Sequence, residues 1–238
     1  MNDTYYRLNA IRLFHGFDDD WLRRLEKKCR WRECERDEII LDRDNDDSDV
    51  YFVTRGSVIV VNFSLSGREI ALARIAAGGY FGELAAIDGE PRSASVVALE
   101  PCVIGVLAPQ HFTELVTGDA TLSVRLMRRL ARIIRIGDDR IMDLSTLGAF
   151  QRVYLELLRL SHADSDDQDI LVIDPMPGQK DIAGQASTTR ETVTRAISQL
   201  VASGVVERIK KRLVVIDRAR FESLATALDT DWGEDGAR

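Results

Sequence analysis

The sequence predicts a mixed α+β protein of two domains joined by one long helix, and three features of the text predict it. From about position 31 to 107 the chain alternates short apolar runs with Gly, Asp and Ser, which is how short strands joined by turns are written. From about 120 to 147 it turns into one unbroken helical segment. After position 177 two short helical segments, separated by Ser-Thr-Thr, are followed by two more apolar runs, the pattern of a helix-turn-helix with a β wing. At 238 residues the chain has room for two cores.

Taken in order, DDDWLRRLEKKC at 18–29 opens on acids suited to a helix start and carries Trp21, Leu22 and Leu25 on one side. The strand candidates are IIL at 39–41, VYFV at 50–53, VIVV at 58–61, REIALARI at 68–75, SASVVAL at 93–99 and CVIGVL at 102–107. SLSG at 64–67 suits a hairpin turn. APQHFTEL at 108–115 predicts a short helix ahead of the long one.

Along the long helix Leu126, Leu130, Ile133, Gly137, Ile141 and Leu144 recur at steps of three and four. Such a stripe packs either on the chain's own barrel or on a second copy of the helix. The dense Arg and Asp on its flanks favour a two-fold helix pair. STLGA at 145–149 interrupts the helical run and places the domain boundary near 146–149. FQRVYLELLRL at 150–160 predicts another helix, HADSDDQDI at 162–170 an exposed acidic loop, and ILVIDPM at 170–176 a short strand.

Composition excludes several classes. Three cysteines, Cys29, Cys34 and Cys102, are too few and too scattered for a disulfide framework or an iron–sulfur cluster. His15, His111 and His162 have no ligand spacing, so no metal is expected. There is no Walker glycine–lysine loop, no dinucleotide fingerprint and no nucleophile–base set, which argues against an enzyme. The start MNDTYYRLNA has no signal-peptide layout and no apolar run approaches a membrane span, so no membrane is expected and the cytoplasm is the expected address.

The net charge of −7 opposes nucleic-acid binding until it is divided along the chain. From Asp174 to Arg220 there are nine Lys or Arg against five Asp or Glu, so this stretch is +4 and the remainder of the chain −11. A local basic face is what phosphate contacts need. Within it, QKDIAGQA at 179–186 is a first helix with Ile182, Ala183 and Ala186 inward. STT at 187–189 is turn and cap, and RETVTRAISQLVASG at 190–204 is a second helix with Val193, Ile197, Leu200 and Val201 buried. That leaves Arg190, Glu191, Thr194 and Arg195 at the outer N-terminal end, where a recognition helix meets base edges. Arg fits guanine O6 and N7, and Glu accepts from cytosine N4. Thr189 and Thr192 suit phosphates. VVERI at 205–209 and LVVID at 213–217 form the wing, with Lys210, Lys211 and Arg212 at its tip as solvated turn residues or as phosphate contacts.

In the barrel the glycine-dense stretch is AAGGYFGELAAIDGEPRSASVVAL at 76–99. Arg92 and Ser93 beside the free backbone N–H groups near Gly82 and Leu84 suit one phosphate, and the Glu83 carboxylate suits a sugar hydroxyl. By chemistry alone the same residues also read as a surface Arg–Glu pair with a structural glycine.

FGELAAIDGEPRSA at 81–94 resembles the phosphate-binding cassette of the catabolite activator, or cyclic-AMP receptor, superfamily of bacterial regulators. TTRETVTR at 188–195 resembles that family's recognition-helix signature, and the likeness runs over residues 8–220. The resemblance implies an antiparallel, jelly-roll-like β-roll at 1–118, a dimerisation helix at 119–147 and a winged helix-turn-helix at 148–238. It implies that Glu83 accepts the ribose 2′-OH while Arg92 and Ser93, with the backbone at Gly82 and Leu84, hold the cyclic phosphate of cyclic AMP. It implies that Arg190, Glu191 and Arg195 read half-sites of an inverted repeat similar to TGTGA-N6-TCACA, with Gln179 and Lys180 at the DNA backbone. It also implies a homodimer that activates transcription through RNA polymerase; the acidic loop at 162–169 is either a polymerase contact or plain surface.

One departure stands out. Where the best-known cyclic-AMP receptors present adjacent Thr and Ser to the adenine, this chain offers Gly137 and Asp138. Asp138 could accept from adenine N6 or from guanine N1 and N2, so cyclic GMP stays open beside cyclic AMP. The same architecture working without cyclic nucleotide is the alternative, and an enzyme carrying a regulatory barrel is the reading from another class.

Overall fold

A computed structural model of the chain describes residues 6–63, 69–164 and 170–226. The chain divides into two compact units, Met1–Ile134 and Arg135–Arg238.

In the first unit, strands β1 (Arg30–Cys34), β2 (Ile39–Leu41), β3 (Val50–Arg55), β4 (Ser57–Phe63), β5 (Glu69–Ala76), β6 (Tyr80–Phe81), β7 (Ser95–Ala98) and β8 (Cys102–Leu107) form two antiparallel sheets. Their orders are β1-β8-β3-β6 and β2-β7-β4-β5. The two-residue period of a strand explains the β3 run VYFV. Tyr51 and Val53 point into the core between the sheets with Phe81, Val96 and Ile104, while Val50 and Phe52 point to the opposite face. β4 and β5 pair from Ser57↔Ala76 to Phe63↔Glu69; the expected turn at 64–67 lies outside the described residues.

Helices cover the outer face of the first sheet. These are α1 (Asp19–Glu26), α3 (Pro109–Gly118), the start of α4 (Ala120–Thr146) and a 3-10 turn at Arg12–Phe14; α2 (Glu83–Asp88) leads out of β6. Asp18 caps α1, its carboxylate accepting from the Trp21 N–H at 2.8 Å. Leu22 and Leu25 are buried there with Phe14, Phe52, Phe112 and Leu122.

The expected α4 stripe is corrected by this packing. Leu126 is buried in the same core as Leu122, and Leu130 packs against it. The expected stripe is thus divided along its length: Leu126 and Leu130 pack on the chain's own core, while Ile133, Ile141 and Leu144 stay 44%, 64% and 49% exposed. The exposed apolar side chains Met127, Ile134 and Ile141 are spaced by seven and are 58%, 63% and 64% exposed.

In the second unit α5 (Ala149–Leu160), α6 (Gln179–Gln185), α7 (Arg190–Ala202) and α8 (Arg218–Thr226) pack with a sheet ordered β11-β12-β10-β9. These strands are β9 (His162–Ala163), β10 (Leu171–Ile173), β11 (Val206–Ile209) and β12 (Arg212–Val215). Val153, Leu157, Ile182, Val193, Ile197, Leu200, Leu213 and Phe221 fill one core. Three expectations are corrected. Val201 is 41% exposed and Ala196 is buried in its place. Residues 162 and 163 form a strand rather than the beginning of a loop, and 165–169 lie outside the described residues. Arg212 is inside β12, bonded to Asp164 and Asp174, so the hairpin tip is Lys210 and Lys211 alone. No helix among the described residues is long and apolar enough to cross a membrane, and none of their His, Cys, Asp and Glu gather in threes to hold a metal.

Candidate functional site

The barrel site is built where β6 runs into α2. Gly82 holds φ at +83°, a left-handed turn that redirects the chain. A Cβ here would come within 2.7 Å of the Asp49 carbonyl and 2.8 Å of Arg92 Nη1, so conformation and space both require glycine. The close approach lets the Gly82 carbonyl accept from Arg92 Nη1 at 2.9 Å.

Arg92 is buried, its side chain 2% exposed. Its Nη2 donates to the Asp49 carbonyl at 2.9 Å and to the Asp47 carboxylate, while its Nε is buried with no partner. The guanidinium also lies 5.7 Å from the centre of the Tyr51 ring, which stacks on Phe81 with planes 1° apart. Burial, with Asp47 nearby, pushes the Tyr51 phenol up to about 12, so it stays a neutral donor toward Asp47. Glu83 is buried too, at 4% exposure, and accepts from Arg129 Nε at 3.4 Å. Arg129 is itself fixed, donating to the Tyr80 carbonyl at 2.6 Å with its guanidinium 4.2 Å from the Tyr80 ring centre.

Glu83 and Arg92 are thus a buried carboxylate and a buried guanidinium beside one glycine turn, which disposes of the surface-pair reading. Ser93 is exposed, its carbonyl accepting from Asn62, and Leu84 is 39% exposed at the start of α2. Gly137 and Asp138 belong to the other compact unit. Asp47, Asp49 and Arg129 were missed by sequence reasoning. The only signal was an acidic run, DNDDSD at 44–49, and an arginine-rich helix, neither of which points to its partner.

The three thiols are poor ligands and nucleophiles. Burial pushes Cys29 up to about 12 and Cys34 up to about 11, and raises Cys102.

In the second unit the N-terminal end of α7 presents Arg190, Glu191, Thr194 and Arg195, all exposed, on adjoining turns. Hydrogen bonds from its own backbone N–H and from Thr189 hold the Glu191 carboxyl below its usual range, so it faces outward as an acceptor. Thr189 caps the helix, its hydroxyl accepting from the Thr192 N–H at 3.2 Å. Thr192 is 8% exposed with its hydroxyl 3.1 Å from that of Thr189, which corrects its expected place as a phosphate contact: it locks the cap from inside. Gln179, at the start of α6, meets the Thr194 hydroxyl at 3.0 Å and ties the two helices. Lys180 is exposed next to it. Arg152 of α5 supports the turn from below, donating to the carbonyls of Ala186 at 3.0 Å and Leu147 at 2.8 Å.

Residues 31–119 match the cyclic nucleotide-binding domain family, and residues 151–224 match the Crp-like helix-turn-helix domain family. The cyclic AMP receptor protein of Thermus thermophilus is 30% identical over 181 residues, covering 75% of this chain and 80% of that protein. The cAMP-activated global transcriptional regulator CRP of Salmonella typhimurium is 25% identical over 172 residues, 70% of this chain and 80% of that one. Among solved structures, FixK2 from Bradyrhizobium japonicum shares the fold with a TM-score of 0.67 at 23% identity, over 84% of this chain and 98% of that chain.

Proposed function

The chain belongs to the cyclic AMP receptor (CRP/FNR) superfamily and is a DNA-binding transcription regulator, not an enzyme, and from that premise we propose that it is a cytoplasmic homodimer gated by a cyclic nucleotide. The observation that carries the proposal is the buried pair of Glu83 and Arg92 at the Gly82 turn. A buried guanidinium with an unpartnered Nε offers a cyclic phosphate its cation, and the buried Glu83 carboxylate next to Gly82 offers a ribose its acceptor. Ser93 and the Gly82–Leu84 backbone complete the phosphate contacts. Cyclic AMP is the ligand we assign, with cyclic GMP as the second candidate through Asp138.

The domains we assign are the β-roll at 1–118, the dimer helix at 119–147 and the winged helix at 148–238. The exposed Met127, Ile134 and Ile141 support pairing of two α4 helices, because three large apolar side chains in heptad spacing lose water only against another surface. Pairing presents two α7 helices to an inverted repeat similar to TGTGA-N6-TCACA. Arg190, Glu191 and Arg195 read base edges, while Gln179, Lys180 and Thr189 approach phosphates. Activation through RNA polymerase is the output we assign.

A second reading, regulation without cyclic nucleotide, is favoured by one observation: Asp47 already occupies Arg92. Titration calorimetry of nucleotide-stripped protein separates the two. Saturable binding of cyclic AMP or cyclic GMP that is lost in Arg92→Ala supports gating by nucleotide; no binding of either leaves the DNA-reading assignment and moves the signal elsewhere.

A further inference from the structure

The first unit holds a second cleft, which shares Arg129 and Tyr80 with the surroundings of Glu83 but is lined by neither Glu83 nor Arg92. It encloses about 320 Å³ and takes guanidinium groups from three elements: Arg12 of the 3-10 turn, Arg74 of β5, and Arg125, Arg128, Arg129 and Arg132 of α4. No acidic side chain lines it. The helix that supplies four of the six is itself one-signed, for from Ala120 to Gly137 it carries five arginines and no Asp, Glu or Lys. Positions 125, 128, 129 and 132 share a face over about 10 Å of helix. Like charges three and four residues apart destabilise a helix, so an isolated fold gains nothing from this arrangement.

The six arginines differ in how they are held. Arg125 donates to the Leu13 carbonyl at 2.8 Å, Arg74 to the Ser57 hydroxyl at 3.1 Å, and Arg129 to Tyr80 and Glu83. The side chains of Arg12, Arg128 and Arg132 are exposed and make no hydrogen bond or ion pair among the described residues. Three anchored guanidiniums therefore form the wall, and three more stand open to an incoming anion. The cleft volume is that of a small-molecule site. A single phosphate cannot meet guanidiniums spread over about 10 Å, whereas a chain of two or more can, with Arg forks taking oxygens pairwise.

We propose that this cleft binds a small polyphosphorylated anion of nucleotide size, and that Arg129 couples it to the neighbouring carboxylate. Arg129 lines the cleft and also bonds Glu83 at 3.4 Å. An anion that draws Arg129 toward the cleft frees the Glu83 carboxylate to accept another donor. The coupling rests on the cyclic-nucleotide reading of Glu83; the cleft does not.

The test is calorimetry of the full chain with inorganic tripolyphosphate in about 150 mM KCl, where nonspecific ion pairing is largely screened. Saturable binding is expected. It should weaken at least about tenfold in Arg128→Ala/Arg132→Ala and, separately, in Arg12→Ala, each loss of a charge-assisted contact being of that order. Because these side chains are exposed and lack partners, the thermal midpoint should hold. Arg12→Ala keeps the test independent of any effect on α4, and both variants distinguish the cleft from the basic wing. Absence of saturable binding, equal affinity for sulfate at matched ionic strength, or unchanged affinity in both variants overturns the site. If tripolyphosphate binds but leaves cyclic-nucleotide affinity unchanged, the Arg129 coupling falls. If no cyclic nucleotide binds at all, the functional reading falls and the cleft stands.

Discussion

The Arg92 guanidinium donates to the Asp47 carboxylate, so the group best placed for a phosphate is already satisfied by an acid 45 residues away in the chain. Asp47 is 39% exposed on its side chain and Arg92 only 2%, so the acid can swing out to water while the arginine stays. A ligand phosphate must displace it. Removing the acid should therefore raise affinity and weaken the empty fold together. In Asp47→Asn, cyclic-AMP affinity measured by calorimetry should rise about tenfold. The stability of the ligand-free protein in a urea melt should fall by about 1–2 kcal/mol, discounted for the exposure of Asp47. Lower affinity for the nucleotide would mean that Asp47 helps the site instead of competing for it.

Gly82 is fixed by both conformation and space. Gly82→Ala places a methyl at +83° in φ and within 3 Å of the Asp49 carbonyl and Arg92, and should cost more than about 2 kcal/mol in a chemical melt. A cost under about 0.5 kcal/mol would show that the turn relaxes freely.

On the DNA side, Arg190→Ala should lose about 1–3 kcal/mol on a matched inverted repeat and relax the preference at one base pair. Lys210→Ala, at the exposed hairpin tip, should weaken all sequences alike and lower the salt dependence of binding. Anisotropy titrations on matched and scrambled duplexes at two salt concentrations distinguish these. Equal losses on both duplexes for Arg190→Ala would remove it from base reading.

Glu156 gives the second unit a pH signature. Burial raises its carboxyl above the usual range, only partly offset by Arg159 and Arg140. The folded state then holds a proton that the unfolded chain has lost, so stability falls as pH rises from the ordinary carboxylate range through the raised value. Glu156→Gln should melt at a higher temperature than the parent near pH 7.5, with the gap closing toward pH 4. A lower melting temperature for the variant at pH 7.5 would show that the ionised pairing outweighs desolvation.

What could be read from the text follows the range of each interaction. The Gly82–Arg92 stretch and the Thr189 cap are local in sequence, and spacing alone exposed them. The pairing of Arg92 with Asp47 and of Glu83 with Arg129 spans 45 and 46 residues, and no periodicity encodes it. Arg212 failed for the same reason, its guanidinium turned by the fold onto Asp164 and Asp174, whereas Thr192 failed locally, its hydroxyl lying against that of Thr189 three residues away. On α4, Leu126 and Met127 are neighbours in sequence but lie about 100° apart around the helix, and only the packed core shows which one is left open.

The central claim is tested most directly by DNA affinity measured on nucleotide-stripped protein, with and without cyclic AMP, on a fluorescent duplex carrying TGTGA-N6-TCACA. The account predicts that binding to this duplex strengthens at least about tenfold with cyclic AMP, or with cyclic GMP in its place, and that Arg92→Ala removes the gain without altering the basal affinity. Full affinity in the stripped protein, unchanged by either nucleotide, would contradict it.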